Sequence, residues 1–145
     1  MSTLTFKTVN LGDEIPTVTR HVDQEMIWRN AAGSLDYNPV HTHPEWCQTA
    51  KVFGLESTVA HGMMTMAFMA TALTDWAYSA GGTLKKMETK FIKPVVPGDV
   101  IATGGTVTEK HVIAPGKNYV VLDIWAENQD GAKVAAGEGE VNLPD

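Results

Sequence analysis

The chain has 145 residues and a mass of 15.7 kDa, the size of one domain. Apolar residues make up 43% of it, enough to fill a core at this length and too many for a disordered chain. With 11 Lys+Arg against 17 Asp+Glu the net charge is −6, the wrong sign for gripping a nucleic-acid backbone through counterion release, so no nucleic-acid partner is expected.

In chain order, Leu11-Gly12-Asp13 reads as a turn, and the Val/Thr-rich run 15–22 predicts a first strand because β-branched side chains fit a pleated surface. Asp23 is placed as the N-cap of a short helix over residues 24–32, with Met26, Ile27, Asn30 and Ala31 near one face and Gly33 at its C-terminal end. Residues 34–44, with Pro39 and Pro44 and no apolar periodicity, are expected to be loop. Pro44 suits the first turn of a helix that continues through residues 45–52 and closes near Gly54, before a second loop over 55–61. From Gly62 to Tyr78 apolar residues fall on nearly every side, the pattern of a helix enclosed by other structure. Strands are then predicted over 83–92, 100–110, 118–127 and 132–142, with a proline-flanked turn at 93–99 and a hairpin at Asn128-Gln129-Asp130-Gly131. Helices segregated from a run of strands argue a single α+β domain over residues 1–145, its antiparallel sheet laid on one long central helix. Such a sheet leaves edge strands and an apolar margin, so a homodimer or a pairing with a related subunit is expected.

Cys47 is the only cysteine, so no intrachain disulfide can form, and the opening residues lack the apolar segment of a secretory signal; a cytoplasmic location is expected. The longest mostly apolar stretch, 63–80, is broken by Asp75 and several threonines, which disfavours a membrane span.

Two features carry chemistry. Asp36 and His41 lie five residues apart in a segment stiffened by Pro39, so a carboxyl and an imidazole can divide proton delivery from proton removal. The same Asp36-Tyr37-Asn38-Pro39 run would also make an ordinary turn, since Asp and Asn cap turns readily. His61-Gly62 stands at the mouth of the long helix, where unpaired backbone N–H groups favour developing negative charge and a residue without Cβ lets a carbonyl approach.

Ser34, Asp36, Asn38, Pro39, Val40 and His41, followed about twenty residues later by Ala60-His61-Gly62-Met63, resemble the signature of the MaoC-like (R)-specific enoyl-CoA hydratases, which have the hot-dog fold. Phe91-Ile92-Lys93-Pro94-Val95-Val96-Pro97-Gly98-Asp99 is similar to that family's strand and turn after the central helix, and Val52-Phe53-Gly54-Leu55 through Met66 looks like its mycobacterial fatty-acid dehydratase subunits. The resemblance implies hydration of trans-2-enoyl thioesters of coenzyme A or acyl carrier protein to (R)-3-hydroxyacyl thioesters, with Asp36 and His41 as the catalytic pair and the Gly62 N–H as donor to the thioester oxygen. Asn38 would shape the loop and, with His61, Met63 and Met66, make up the substrate-binding set, the flexible methionines suiting an acyl tunnel. No metal and no redox cofactor is required. Leu35 stands where the family usually has Gly, His43 where an acidic residue is common, and Ala70 where some members carry a serine near the substrate.

A metal site built from His41, His43, Cys47 and His61 is a rival reading, disfavoured because structural zinc sites usually show closed ligand pairs. Cys47 is expected to pack as a small apolar residue, and His21 and His111 to lie on the surface. Two other classes compete: a non-catalytic hot-dog subunit, against which the intact Asp36/His41 pair argues, and a thioesterase, which would need its carboxylate on or beside the central helix.

Overall fold

The computed structural model describes residues 4–145. The elements run β1 (Val18–His21), α1 (Gln24–Ser34), α2 (Pro39–Thr42), α3 (Pro44–Ala50), a 3-10 turn (Val52–Gly54), α4 (Gly62–Tyr78), β2 (Thr83–Phe91), β3 (Val100–His111), β4 (Tyr119–Glu127) and β5 (Lys133–Asn142). All five strands join one antiparallel sheet in the order β1-β3-β4-β5-β2. This is the α+β hot-dog architecture, with α4 lying along the sheet.

Alternation along the strands builds the inner face, because successive side chains in a strand point to opposite sides. Val120, Leu122, Ile124 and Ala126 of β4 are buried together with Val134 and Val141 of β5 and Ile101 and Val107 of β3, and Met69, Ala72 and Leu73 of α4 share this core. Helix and sheet meet closely at Gly139: a Cβ there would lie 2.6 Å from Leu73 Cδ1. Only one side of α4 is enclosed, contrary to the expectation from its all-round apolar sequence. Met63 and Tyr78 are exposed and β2 is a sheet edge, so the apolar residues on that side are only partly covered among the described residues. Among the described residues no helix is long and apolar enough to cross a membrane.

Several boundaries differ from the sequence expectation, each for a local reason. β1 begins at Val18, not at residue 15: Pro16 has no N–H to give the ladder, and Glu14 makes only an isolated bridge to Thr106. α1 runs through Gly33 to Ser34, and Leu35 takes the left-handed closing position at φ 59°. The expected loop 34–44 contains the helical turn α2, nucleated by Pro39 at its first position and capped by Asn38, whose Oδ1 accepts from Val40 N at 3.2 Å. α3 stops at Ala50 because Lys51 turns left-handed at φ 46°. The hairpin after β4 forms as expected, closed by Asn128 N donating to Ala132 O at 3.0 Å, with Gly131 at φ 72°.

The Gly139 contact yields a stability test. Gly139→Ala should cost about 1–3 kcal/mol by overpacking, and Leu73→Ala about 2–5 kcal/mol by leaving a cavity. Added to Leu73→Ala, the Gly139 substitution should cost almost nothing, since the colliding methyl is gone; denaturant melts of the two single variants and the double variant measure this coupling.

Candidate active site

The segment 36–43 is pinned to the chain entering α4. Val59 N donates to Val40 O at 3.0 Å, and His41 Nδ1 donates to Val59 O at 2.7 Å. A carbonyl can only accept, so the hydrogen of a neutral His41 sits on Nδ1 and its Nε2 presents a lone pair. Gln24, in the first turn of α1, donates from Nε2 to His41 O at 2.9 Å and accepts from Thr58 Oγ1, and Trp28 Nε1 donates to Thr42 O at 3.1 Å. Thus α1 braces α2 from behind. Ala60 N donates to Val95 O at 2.7 Å, which ties the start of α4 to the turn after β2.

His41 Nε2 lies 3.8 Å from Asp36 Oδ2, His41 being mostly covered and the Asp36 side chain 52% exposed. That separation is too long for a direct hydrogen bond and short enough for one water to touch both groups. The other carboxylate oxygen of Asp36, Oδ1, accepts from Asn38 N at 3.2 Å, leaving Oδ2 free. His41 and Gly62 face the same cavity of about 310 Å³, whose walls include Phe53, Thr65, Phe91, Ile92, Val95 and Val134. Gly62 is the first residue of α4, so its N–H has no intrahelical acceptor and points where the helix dipole is positive. A Cβ at Gly62 would lie 3.3 Å from three Phe91 ring atoms, so a larger residue there would crowd the ring.

The structure therefore brings Asp36, His41 and Gly62 together. It places the other expected site residues elsewhere. Asn38 caps α2 and its amide oxygen is occupied there. His61 is buried behind His41, outside the cavity lining, with the two rings stacked at 3.8 Å and an interplanar angle of 25°. Met63 and Met66 lie with Ala67, Ala70, Leu84 and Met87 in a separate shallow groove between α4 and β2, not in the cavity that holds His41. Nothing in the sequence marks Phe53 and Thr65 as lining or Gln24 as a brace, and Phe91 to Pro94, part of the motif after the central helix, line the same cavity. His111, expected on the surface, has Glu109 Oε2 at 2.7 Å, two residues away on the same strand.

Of the rival metal ligands, Cys47 is buried with Sγ 3.6 Å from Pro39 O, burial pushes its thiol pKa up, and His43 caps α3. The ligand atoms that do converge, within 4.8 Å, belong to Asp36, His41 and His61. His61 Nε2 is already engaged at 3.0 Å with the Asp36 carbonyl, so metal ligation through it would move its hydrogen to a buried Nδ1 that has no acceptor.

A hot-dog sheet on a central helix, with His41 and Gly62 lining one cavity and Asp36 beside His41, defines the class of fold. Within it, the chain belongs to the MaoC-like domain family, whose model matches residues 7–129. The chain is 28% identical over 128 residues to an (R)-specific enoyl-CoA hydratase of Rhodospirillum rubrum, covering 88% of this chain and 84% of that one. An R-hydratase from Pseudomonas aeruginosa in its unliganded form superposes with a TM-score of 0.83 at 25% identity, covering 97% of this chain and 86% of that one. The ChsH1–ChsH2 complex from Mycobacterium tuberculosis has the same fold, with a TM-score of 0.76 at 19% identity over 94% of this chain and 98% of that one.

Leu35 bears on how Asp36 is held. A left-handed leucine costs about 1–2 kcal/mol, against a loss of about 0.4–1 kcal/mol when glycine loosens the unfolded chain. Leu35→Gly should therefore leave stability unchanged or raise it by up to about 1.6 kcal/mol, whereas Leu35→Ala, still left-handed, should give no gain; thermal melts compare the two.

Proposed function

We propose that the chain is a hydratase–dehydratase that adds water to trans-2-enoyl thioesters, giving (R)-3-hydroxyacyl thioesters, and runs the reverse elimination. The observation that carries this reading is the convergence of Asp36 Oδ2 and His41 Nε2, 3.8 Å apart, beside a cavity that the Gly62 backbone also faces. Hydration needs a base for the water attacking the β-carbon, an acid to protonate the α-carbon, and a donor for the enolate oxygen between the two steps. Asp36 Oδ2, open to solvent, takes the water proton. The pair holds one proton: in hydration it starts on His41 Nε2, beside an Nδ1–H held by Val59 O, and passes to the α-carbon, while the water proton left on Asp36 replaces it. Gly62 N–H receives the oxyanion, a contribution of about 3–4 kcal/mol for a well-aimed donor. In dehydration the two side chains exchange roles. Both come from one short segment and so face one side of the double bond, which makes the addition syn; the (R) outcome rests on the likeness to the Rhodospirillum hydratase.

The chemistry calls for no resident cofactor: coenzyme A or an acyl carrier arm enters as part of the substrate. The buried free thiol of Cys47 suits a reducing cytoplasm. A thioesterase reading lacks its carboxylate, since the one acidic residue of α4, Asp75, stands exposed in the helix's last turns.

Asp36→Asn and His41→Ala should each stay folded and lose at least about a hundredfold in turnover of crotonyl-CoA, followed at the enoyl-thioester absorbance. Wild-type-like turnover in either variant would show the pair to be misassigned. The same assay with lengthening acyl chains sets the substrate range, and brisk NADH formation on coupling the product to an (S)-specific 3-hydroxyacyl-CoA dehydrogenase would refute the (R) assignment.

The uncovered side of α4 and the open β2 edge suit a second hot-dog subunit, and we propose a homodimer that buries Met63, Met66, Leu84 and Met87. Light scattering should give twice the chain mass, and Met66→Lys should shift it toward the monomer; a fully active wild-type monomer would contradict the proposal.

A further inference from the structure

His61 is the most unusual polar group near the site. It is 4% exposed, and its Nδ1 is buried without a hydrogen-bond partner. Buried polar atoms are normally paired, so an orphan needs a reason. The reason lies at the other ring nitrogen: Nε2 is 3.0 Å from the Asp36 backbone oxygen, which can only accept, so Nε2 must carry the hydrogen and Nδ1 is left as a bare lone pair. Nε2 is 4.0 Å from Asp36 Oδ2, so the ring grips the main chain and leaves the carboxylate free. Little else holds that stretch. Asp36 follows a left-handed, exposed Leu35, and its own N–H has only a long 3.4 Å contact with Ser34 Oγ. The flat face of His61 meanwhile stacks on His41 at 3.8 Å. Its backbone is the N-cap of α4, one residue before Gly62.

We propose that His61 is a positioning residue: held as the Nε2–H tautomer, it tethers the Asp36 main chain and the His41 ring to the start of α4 and touches no substrate. One imidazole thus sets the acid–base pair against the Gly62 donor. The proposal rests on the hydratase reading for its catalytic consequence, while the tautomer is a property of the folded chain alone.

In His61→Ala the tether is lost, and kcat should fall by about a hundredfold, the scale expected for ångström misplacement of reacting groups, while KM stays within about twofold because the ring lies outside the cavity. His61→Gln, whose carboxamide N–H can reach the same carbonyl, should recover kcat to within about tenfold of wild type. In the wild-type protein at neutral pH, nitrogen-15 NMR should show Nε2 protonated and Nδ1 bare. A raised KM at unchanged kcat in His61→Ala would make His61 a substrate contact and overturn the proposal. So would a folded His61→Gln as inactive as His61→Ala, or a wild-type spectrum with the hydrogen on Nδ1. The spectrum decides the tether even if His61→Ala fails to fold. A wild-type protein without hydratase activity would overturn the hydratase reading and the catalytic half of this proposal, and the spectrum would still rule on the tether.

Discussion

The site depends on two hydrogen bonds to one residue. Val59 donates its N–H to Val40 and accepts from His41 Nδ1 through its carbonyl, so residues 36–43, whose one regular element is the single turn α2, are fastened to the chain just before α4. The second bond also decides which imidazole nitrogen faces Asp36. Because α4 is itself fixed by burial of Met69, Ala72 and Leu73 against the sheet, the position of the proposed acid–base pair is inherited from the core. Packing energy far from the chemistry thereby becomes geometric accuracy at the site.

What the sequence disclosed follows from the range of the forces involved. The extent of α4 and the hairpin at Asn128–Gly131 are set by neighbours along the chain, and both were legible. The helical turn Pro39–Thr42 was not, because four residues are too few to display a helical period. Leu35 hid the end of α1: a glycine marks a left-handed position openly, and a leucine forced into one leaves no trace in composition. Asp36, His41 and Gly62 were legible as a motif; in the fold His41 and Gly62 line one cavity and Asp36 lies beside His41.

The misplacements share a different cause. Met63 and Met66 were assigned to the substrate because flexible thioethers suit an acyl tunnel, and side-chain character says nothing about which groove a helix face lines. His61 sits beside Gly62 in sequence yet behind His41 in space, a relation created only when residues 36–41 fold back onto α4. Gln24 is invisible for the same reason, since its partners, Thr58 and the His41 carbonyl, lie far along the chain.

Phe91, Ile92 and Val95, which wall one side of the cavity, come from the end of β2 and the turn after it, and Val134 from β5, whereas the groups assigned to chemistry all come from the single stretch 36–62. The two sets of residues touch chiefly where Phe91 presses on Gly62 and Val95 accepts from Ala60. On that side the wall is therefore separable from the reactive parts: substitutions along the strands can reshape which acyl groups fit while the stretch 36–62 keeps its internal bonds. A lineage built this way can change its diet without relearning its chemistry.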